Sequence, residues 1–234
     1  MRTLNSAALR THKYAALLAL LLVFLAIQSF DARLGASRIL SDAFRAMLGM
    51  AILVVVFERQ RERAVMGVIF AAAVAIAWGG RHVFGANLDN VRSIALSALM
   101  SLFAAAAVWV ILRDLFHEKA VGVENVLGAI CGYLIASEAW AGANEIAYIV
   151  VPSAYSINPE TGVLLADWHG RHALFSYYGF AQMLTIGYSD VTPVRAPATT
   201  LSLFGALFGI FYTAVVVSQL VGLAQSRKRS PDDQ

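Results

Sequence analysis

Apolar residues in this chain run together in long blocks, separated by brief charged or glycine-bearing breaks. Six such blocks cover residues 14–30, 39–57, 64–79, 91–112, 120–151 and 198–225. Crossing about 30 Å of hydrocarbon takes a helix of roughly 20 residues. The second block carries Asp42 and Arg45 near its start, and the third is short and ends at Gly79 and Gly80. The fifth stops before Pro152 and is long enough to tilt or project beyond a bilayer. A further apolar segment, 172–184, is too short to span. It fits a re-entrant helix, which membrane depth tolerates only where protein surrounds it. The pattern therefore predicts an all-α integral membrane protein with six transmembrane helices plus one re-entrant helix.

Composition agrees with that class. The chain is 59% hydrophobic and only 14% charged, with a mean hydropathy of +0.66, whereas soluble domains carry about a quarter charged residues. The single cysteine, Cys131, lies in an apolar run and reads as a small buried hydrophobe. The net charge of +3 comes from basic residues scattered at block ends, so the bilayer and not nucleic acid is the expected partner. No nucleophile–base pair and no His/Asp/Glu ligand cluster stands out, so neither an enzyme nor a cofactor is expected. The first block resembles a signal peptide in its basic start, but Gln28-Ser29-Phe30-Asp31 is a poor cleavage site and the block is expected to be retained.

Lysine and arginine favour the cytoplasmic side of a membrane. With six spans, one side holds Arg2, Arg10, Lys13, Arg59, Arg61, Arg63, Arg113, Lys119, Arg227, Lys228 and Arg229, eleven of the eighteen. The other holds Arg33, Arg38, Arg45, Arg81, Arg92, Arg171 and Arg195. The lean places both termini in the cytoplasm of a multi-pass cell-membrane protein and residues 152–197 outside. Arginine exceeds lysine fifteen to three, a hint of a GC-rich bacterial genome.

The segment after the short helix reads Thr185-Ile186-Gly187-Tyr188-Ser189-Asp190. A cation leaves water only where oxygens replace its hydration shell, and stacked backbone carbonyls from four chains can do this. Such a backbone favours glycine at alternate positions, a need that Gly187 meets. Thr185 can add a hydroxyl at the inner mouth, and Ile186 is expected to pack outward. Tyr188 is expected to wedge behind the loop against Tyr177 and Tyr178, and Asp190 to concentrate cations and anchor the loop. The short helix would aim its partially negative C-terminal end at the cation.

These residues, the aromatic pair before them and the long last block resemble the pore module of bacterial potassium channels of the single-pore-loop class. Thr192-Pro193 follows the loop as the family's turn does, and Gly209 stands twenty residues beyond Ser189, at the family's hinge position. Residues 127–140, with Tyr133-Leu134-Ile135 and Trp140, resemble the outer helix of small relatives with extra N-terminal spans. The resemblance covers roughly 120–225. It implies a four-helix N-terminal region (1–119) of unknown role, a pore domain (120–225) of outer helix, pore helix with selectivity-filter loop and inner helix, and a short tail (226–234). It also implies a homotetramer in which the backbone of Thr185, Ile186, Gly187 and Tyr188, with Ser189 beyond, binds permeant K⁺.

Three positions depart from the family. Ser189 replaces a glycine of positive φ, at a strain of about 1 kcal/mol. Leu184 replaces a threonine, and Ala181 stands where some relatives place a glutamate against the aspartate, which leaves Tyr177 as the expected partner of Asp190. The expected activity is a potassium-preferring cation channel. The alternatives are a weakly selective Na⁺/K⁺ conductor and a non-conducting accessory protein with a degenerate filter.

A voltage sensor needs several arginines at every third position, since each charge supplies about 2.3 kcal/mol per 100 mV. The fourth block has only Arg92 and Arg113 near its ends, so voltage sensing is not expected, and the nine-residue tail is too short for a fused cytosolic sensor. Gly205 and Gly209 form a G-x-x-x-G pair that suits close packing, with Gly209 the hinge candidate. Glu138 and Glu145 are expected to make polar contacts with the pore-helix collar, and His169 and His172 to lie in a solvated loop. The Glu58–Arg63 turn is read as a topology signal at the headgroups.

Overall fold

The computed structural model describes residues 13–34, 38–83, 88–117, 122–151, 153–166, 168–187 and 190–229. They form α1 (Lys13–Leu34), α2 (Arg38–Val56), α3 (Gln60–Val83), α4 (Asp89–His117), α5 (Val123–Val150), β1 (Tyr155–Ile157), a short α6 (Pro159–Gly162), a 3₁₀ turn (Val163–Ala166), α7 (Trp168–Met183), β2 (Val191–Pro193) and α8 (Ala196–Arg229). Among the described residues four helical stretches are long and apolar enough to cross a membrane: Gln60–Gly79, Asp89–His117, Val123–Val150 and Ala196–Gly222. The chain is thus an all-helical protein of the membrane-embedded kind. The helices coincide with the apolar blocks, with ends displaced by a few residues.

The helices alternate in direction, and their ends show it. At one end of the bundle the Tyr14 N–H donates to Glu124 (3.0 Å), Lys13 meets Glu58 (2.5 Å) and Arg113 donates to Glu62 (2.6 Å), joining the starts of α1, α3 and α5 to the ends of α2 and α4. At the opposite end Arg92 is buried and donates to Asp89 and to the carbonyls of Ile76 and Ala77 on α3.

α5 is the hub, packing on α1, α4, α7 and α8. Mostly apolar, with its few polar residues not gathered on an exposed face, it suits a helix enclosed by others or by lipid, and its small residues let neighbours approach closely. A Cβ on Gly142 would meet Ser101 Oγ at 2.1 Å and the Ser97 carbonyl at 2.9 Å, both on α4. The main core joins Leu17, Ile52, Phe57, Phe103, Ile135 and Tyr212 from α1, α2, the α2–α3 turn, α4, α5 and α8. A second apolar cluster around Tyr155, Phe175, Tyr178 and Val191 lies where α7 meets the strand pair.

β1 and β2 pair antiparallel, Tyr155 opposite Pro193, Ser156 opposite Thr192 and Ile157 opposite Val191. They join the chain just after α5 to the chain just before α8, with α7 between them in sequence.

The largest departure from the sequence-based expectation is the start of α7. Residues 168–171, expected in a solvated loop, are helical, and His172 is buried. Their charges are met inside the protein: His169 Nε2 lies 2.9 Å from Asp42 Oδ1 on α2, and Arg171 and His172 both reach Glu145 on α5. Arg171, counted among the loop cations, is therefore a buried ion-pair member.

Candidate functional site

α7 is held by backbone contact and by charge. A Cβ on Gly179 would meet the Ser137 carbonyl of α5 at 2.6 Å, so only glycine lets the two helices lie this close. One turn and more toward the N-terminus, fully buried Glu145 accepts from Arg171 Nε (3.1 Å) and Ser97 Oγ (2.8 Å), and His172 Nδ1 lies 3.0 Å from it. Arg171 also donates to Ser93 Oγ at 2.6 Å. Glu138 accepts from Ser176 Oγ and lies 3.7 Å from His172 Nε2. A buried charge is tolerable only when paired and hydrogen-bonded. The two α5 carboxylates meet that condition through α7, which is the polar contact with the helix expected of Glu138 and Glu145.

A second, uncharged network fixes the other end of α7. Gln182 donates from Nε2 to the Leu201 carbonyl on α8 (2.7 Å) and accepts at Oε1 from Asn144 Nδ2 (3.0 Å); Tyr155 on β1 donates to Asn144 Oδ1 (2.7 Å). Burial keeps the Tyr155 hydroxyl well above the usual phenol pKa of about 10, so it remains a neutral donor. α5, β1, α7 and α8 are thereby tied through three side chains.

The helix ends in a tight reversal. The Thr185 N–H bonds the Gln182 carbonyl (3.1 Å) and the Ile186 N–H bonds the Ala181 carbonyl (3.0 Å), with Thr185 at φ 54°. These are the two bonds of a Schellman cap, in which the left-handed position usually belongs to glycine. A β-branched residue there is a strained outlier. Gly187 follows at φ 67°, where glycine is at ease. Met183, the last helical residue, has its carbonyl bonded by Tyr133 Oη at 2.9 Å. Carbonyls 180 to 183 thus all have donors.

Beyond the cap, Leu184, Thr185, Ile186 and Gly187 are all exposed on the single chain. Ile186 is 48% exposed, so the chain by itself offers little packing for it. Tyr188 and Ser189 lie outside the described residues. The Asp190 carbonyl accepts from the Asn158 N–H at 2.9 Å, so a main-chain bond ties this end of the loop to the chain after β1.

Of the two tyrosines expected to support the loop, Tyr178 is buried, shares a 2.6 Å hydrogen bond with Ser202 Oγ on α8 and lies edge-on to Tyr155, whereas Tyr177 is 44% exposed. Gly209 sits against the end of α7, where a Cβ would meet the Met183 carbonyl at 2.2 Å; one on Gly205 would meet Gln182 Nε2 at 2.3 Å. The G-x-x-x-G pair is thus a close-packing face in this conformation.

Sequence reasoning missed Ser93, Ser97, Asn144, Arg171 and Gln182 as working residues. Ser93 and Ser97 are four apart on one face of an otherwise apolar helix, and Asn144 stands beside Glu145. Polar residues so placed were the available signal. Among the described residues no group of three His, Cys, Asp or Glu side chains is arranged to hold a metal.

Searches against protein-family models, curated proteins and solved structures found no match to this chain.

Proposed function

We propose that this protein is a potassium-preferring cation channel, conducting passively through a pore closed by four copies of the chain. The observation that carries the reading is the exposed Thr185–Ile186–Gly187 turn at the end of a 16-residue helix. At ~1.5 Å per residue that helix is about 24 Å long and is enclosed by α5 and α8. A backbone loop at membrane depth is stable only when buried in protein or lining water. Around a fourfold axis the loop would do both, with its carbonyls as ion ligands.

Further support comes from α8. Its buried positions Ala198, Gly205, Gly209, Tyr212 and Val216 form one stripe, while Leu203, Phe204, Leu207, Ile210, Phe211 and Val215 are exposed. That leaves much of an apolar helix for neighbouring chains and lipid. On this reading α1 and α2 would bring the spans to six, both termini would share the cytoplasmic side that the lysine and arginine count favours, and Gly209 is the hinge candidate. Arg92 and Arg113 are both engaged by carboxylates, which argues against a moving voltage sensor.

Ser189 favours a second reading, a weakly selective Na⁺/K⁺ conductor, because it stands where the resembling family has glycine. Purified protein in liposomes decides between them. A reversal potential that follows the K⁺ gradient under bi-ionic Na⁺/K⁺ conditions supports the first; equal permeability supports the second. No cation flux favours the non-conducting accessory protein.

A further inference from the structure

A cavity of about 120 Å³ lies between α1, α2, α3, α4, α5 and the first turn of α7. Apolar side chains, Ile52, Phe70 and Phe103 among them, make most of its wall. Against the start of α7 the wall turns polar, with Asp42 from α2, Glu138 from α5 and Trp168 from α7. An apolar cavity of roughly 150 Å³ holds one benzene, so this one has room for about five non-hydrogen atoms. The space suits a small molecule and no acyl chain.

The groups at the polar end decide what that molecule carries. The Trp168 ring lies between two histidine–carboxylate pairs. On one side His169 is edge-on to it, with centroids 4.9 Å apart, and sits 2.9 Å from Asp42. On the other His172 stacks on it at 5.4 Å, with Nε2 3.7 Å from Glu138. Trp168 is only 8% exposed, yet its indole N–H has no acceptor among the described residues. A buried donor without a partner is unfavourable, so this end calls for an acceptor atom. An anion there would face two carboxylates. A cation would face the indole N–H and the Arg45 guanidinium, which is already engaged over the Trp168 ring at 5.0 Å. A hydroxyl meets both demands, since its oxygen accepts and its proton is donated. Each carboxylate keeps lone pairs beyond those used by His169 and Ser176. Water has the same polar chemistry but leaves the apolar wall without contacts.

We propose that this cavity binds a short uncharged alcohol of the size of n-butanol. Its oxygen accepts from Trp168 Nε1, its proton goes to a neighbouring carboxylate, and its carbon chain lies against Phe70 and Phe103. The inference goes beyond the channel reading and needs no conduction, so a protein that passes no ions still tests it.

The test uses the full chain in phosphatidylcholine nanodiscs, with its four tryptophans isotope-labelled at the indole nitrogen and read by NMR. Trp168→Phe assigns the Trp168 resonance; should it not fold, Trp78→Phe, Trp109→Phe and Trp140→Phe assign it by elimination. n-Butanol is expected to shift that resonance with saturation, half-way at a concentration on the order of millimolar. Trp109, 70% exposed on α4, is expected to change only in proportion to the alcohol in the bilayer. At equal bilayer concentration butyl chloride, which lacks the hydroxyl, is expected to bind roughly tenfold more weakly. Butyrate and butylammonium are expected to bind more weakly still, because their charge would be buried. Ala46→Leu, at a partly buried lining position, is expected to abolish the saturable shift by filling the space. A Trp168 response no more saturable than that of Trp109, or a shift that survives Ala46→Leu, would overturn the site. Equal binding of butyl chloride, butyrate or butylammonium would overturn the hydroxyl assignment, and tighter binding of n-octanol the size. An indole proton that exchanges magnetisation with water equally before and after n-butanol would assign the space to water and overturn the alcohol. Should Ala46→Leu not fold, the ligand series on the unaltered protein decides.

Discussion

Glu145 on the hub helix and Arg171 on the short helix form an ion pair at 3.1 Å, with 0% and 8% of their side chains exposed. Removing one partner of such a pair leaves the other charge buried, at a cost of about 3–5 kcal/mol, whereas replacing both by apolar groups is often neutral. Glu145→Ala is therefore expected to lower the thermal unfolding temperature sharply, and Glu145→Leu with Arg171→Met to recover much of the loss. Thermal melts of the purified protein in detergent check this. A double variant no better than the single would show that Ser97 and His172, and not the charge pair, dominate.

Thr185 occupies the left-handed position of a helix cap. Thr185→Gly removes strain of about 1–2 kcal/mol, offset in part by the greater freedom glycine has in the unfolded chain. The net expectation is a small rise in stability and, under the channel reading, reduced K⁺ flux, since the side chain proposed for the inner mouth is gone. Paired melts and liposome flux measure the two separately. A variant that is less stable than the parent contradicts the strain account.

Gly209 and the Met183 carbonyl are too close for a side chain. Gly209→Ala is expected to cost about 1–3 kcal/mol through overpacking, while Tyr133→Phe, which deletes the hydrogen bond to that carbonyl, should cost about 1 kcal/mol. Unchanged stability in Gly209→Ala would remove the packing role. A variant that melts normally but opens differently would assign the glycine to motion.

Asn144 couples Tyr155 to Gln182. Asn144→Leu leaves the Tyr155 hydroxyl and the Gln182 carbonyl oxygen without this partner in a buried site, a penalty of about 1–3 kcal/mol. Under the channel reading it should also disturb ion discrimination, because Gln182 lies in the turn that carries the loop. The Na⁺/K⁺ reversal potential of the variant reads that effect, and Tyr155→Phe, which touches only the far end of the network, should shift it less.

Under the channel reading Ser189→Gly is expected to sharpen K⁺ over Na⁺ discrimination. The same reversal-potential measurement tests it, and an unchanged or weaker preference would absolve the serine.

Much of this architecture was legible because long apolar runs announce helices directly. The blocks 91–112 and 198–225 lie within α4 and α8, and all but Leu184 of the non-spanning segment lies within α7. The first turn of α7 was not legible. Trp168-His169-Gly170-Arg171-His172 looks like a hydrated loop until Asp42 and Glu145, well over a hundred and some twenty residues away, are brought against it. Nor was the Thr185 cap, since a β-branched residue argues locally against a left-handed turn. The Asn144–Gln182 bond joins residues 38 apart in sequence, and no local pattern encodes such a meeting. The glycines were visible, but which backbone each admits depends on the partner helix.

The pairing of β1 with β2 means that the chain leaves α5 and enters α8 through adjacent gates, at Tyr155 and Pro193. In genetic terms the part between β1 and α7 is the exchangeable insert: the strand pair fixes one end and the Glu145–Arg171 pair the other, so its length can change without altering the separation of α5 and α8. Variation in the α6 region could thus accumulate while the loop at 185–187 stays in place, which makes the short strand pair the natural seam for building chimaeras.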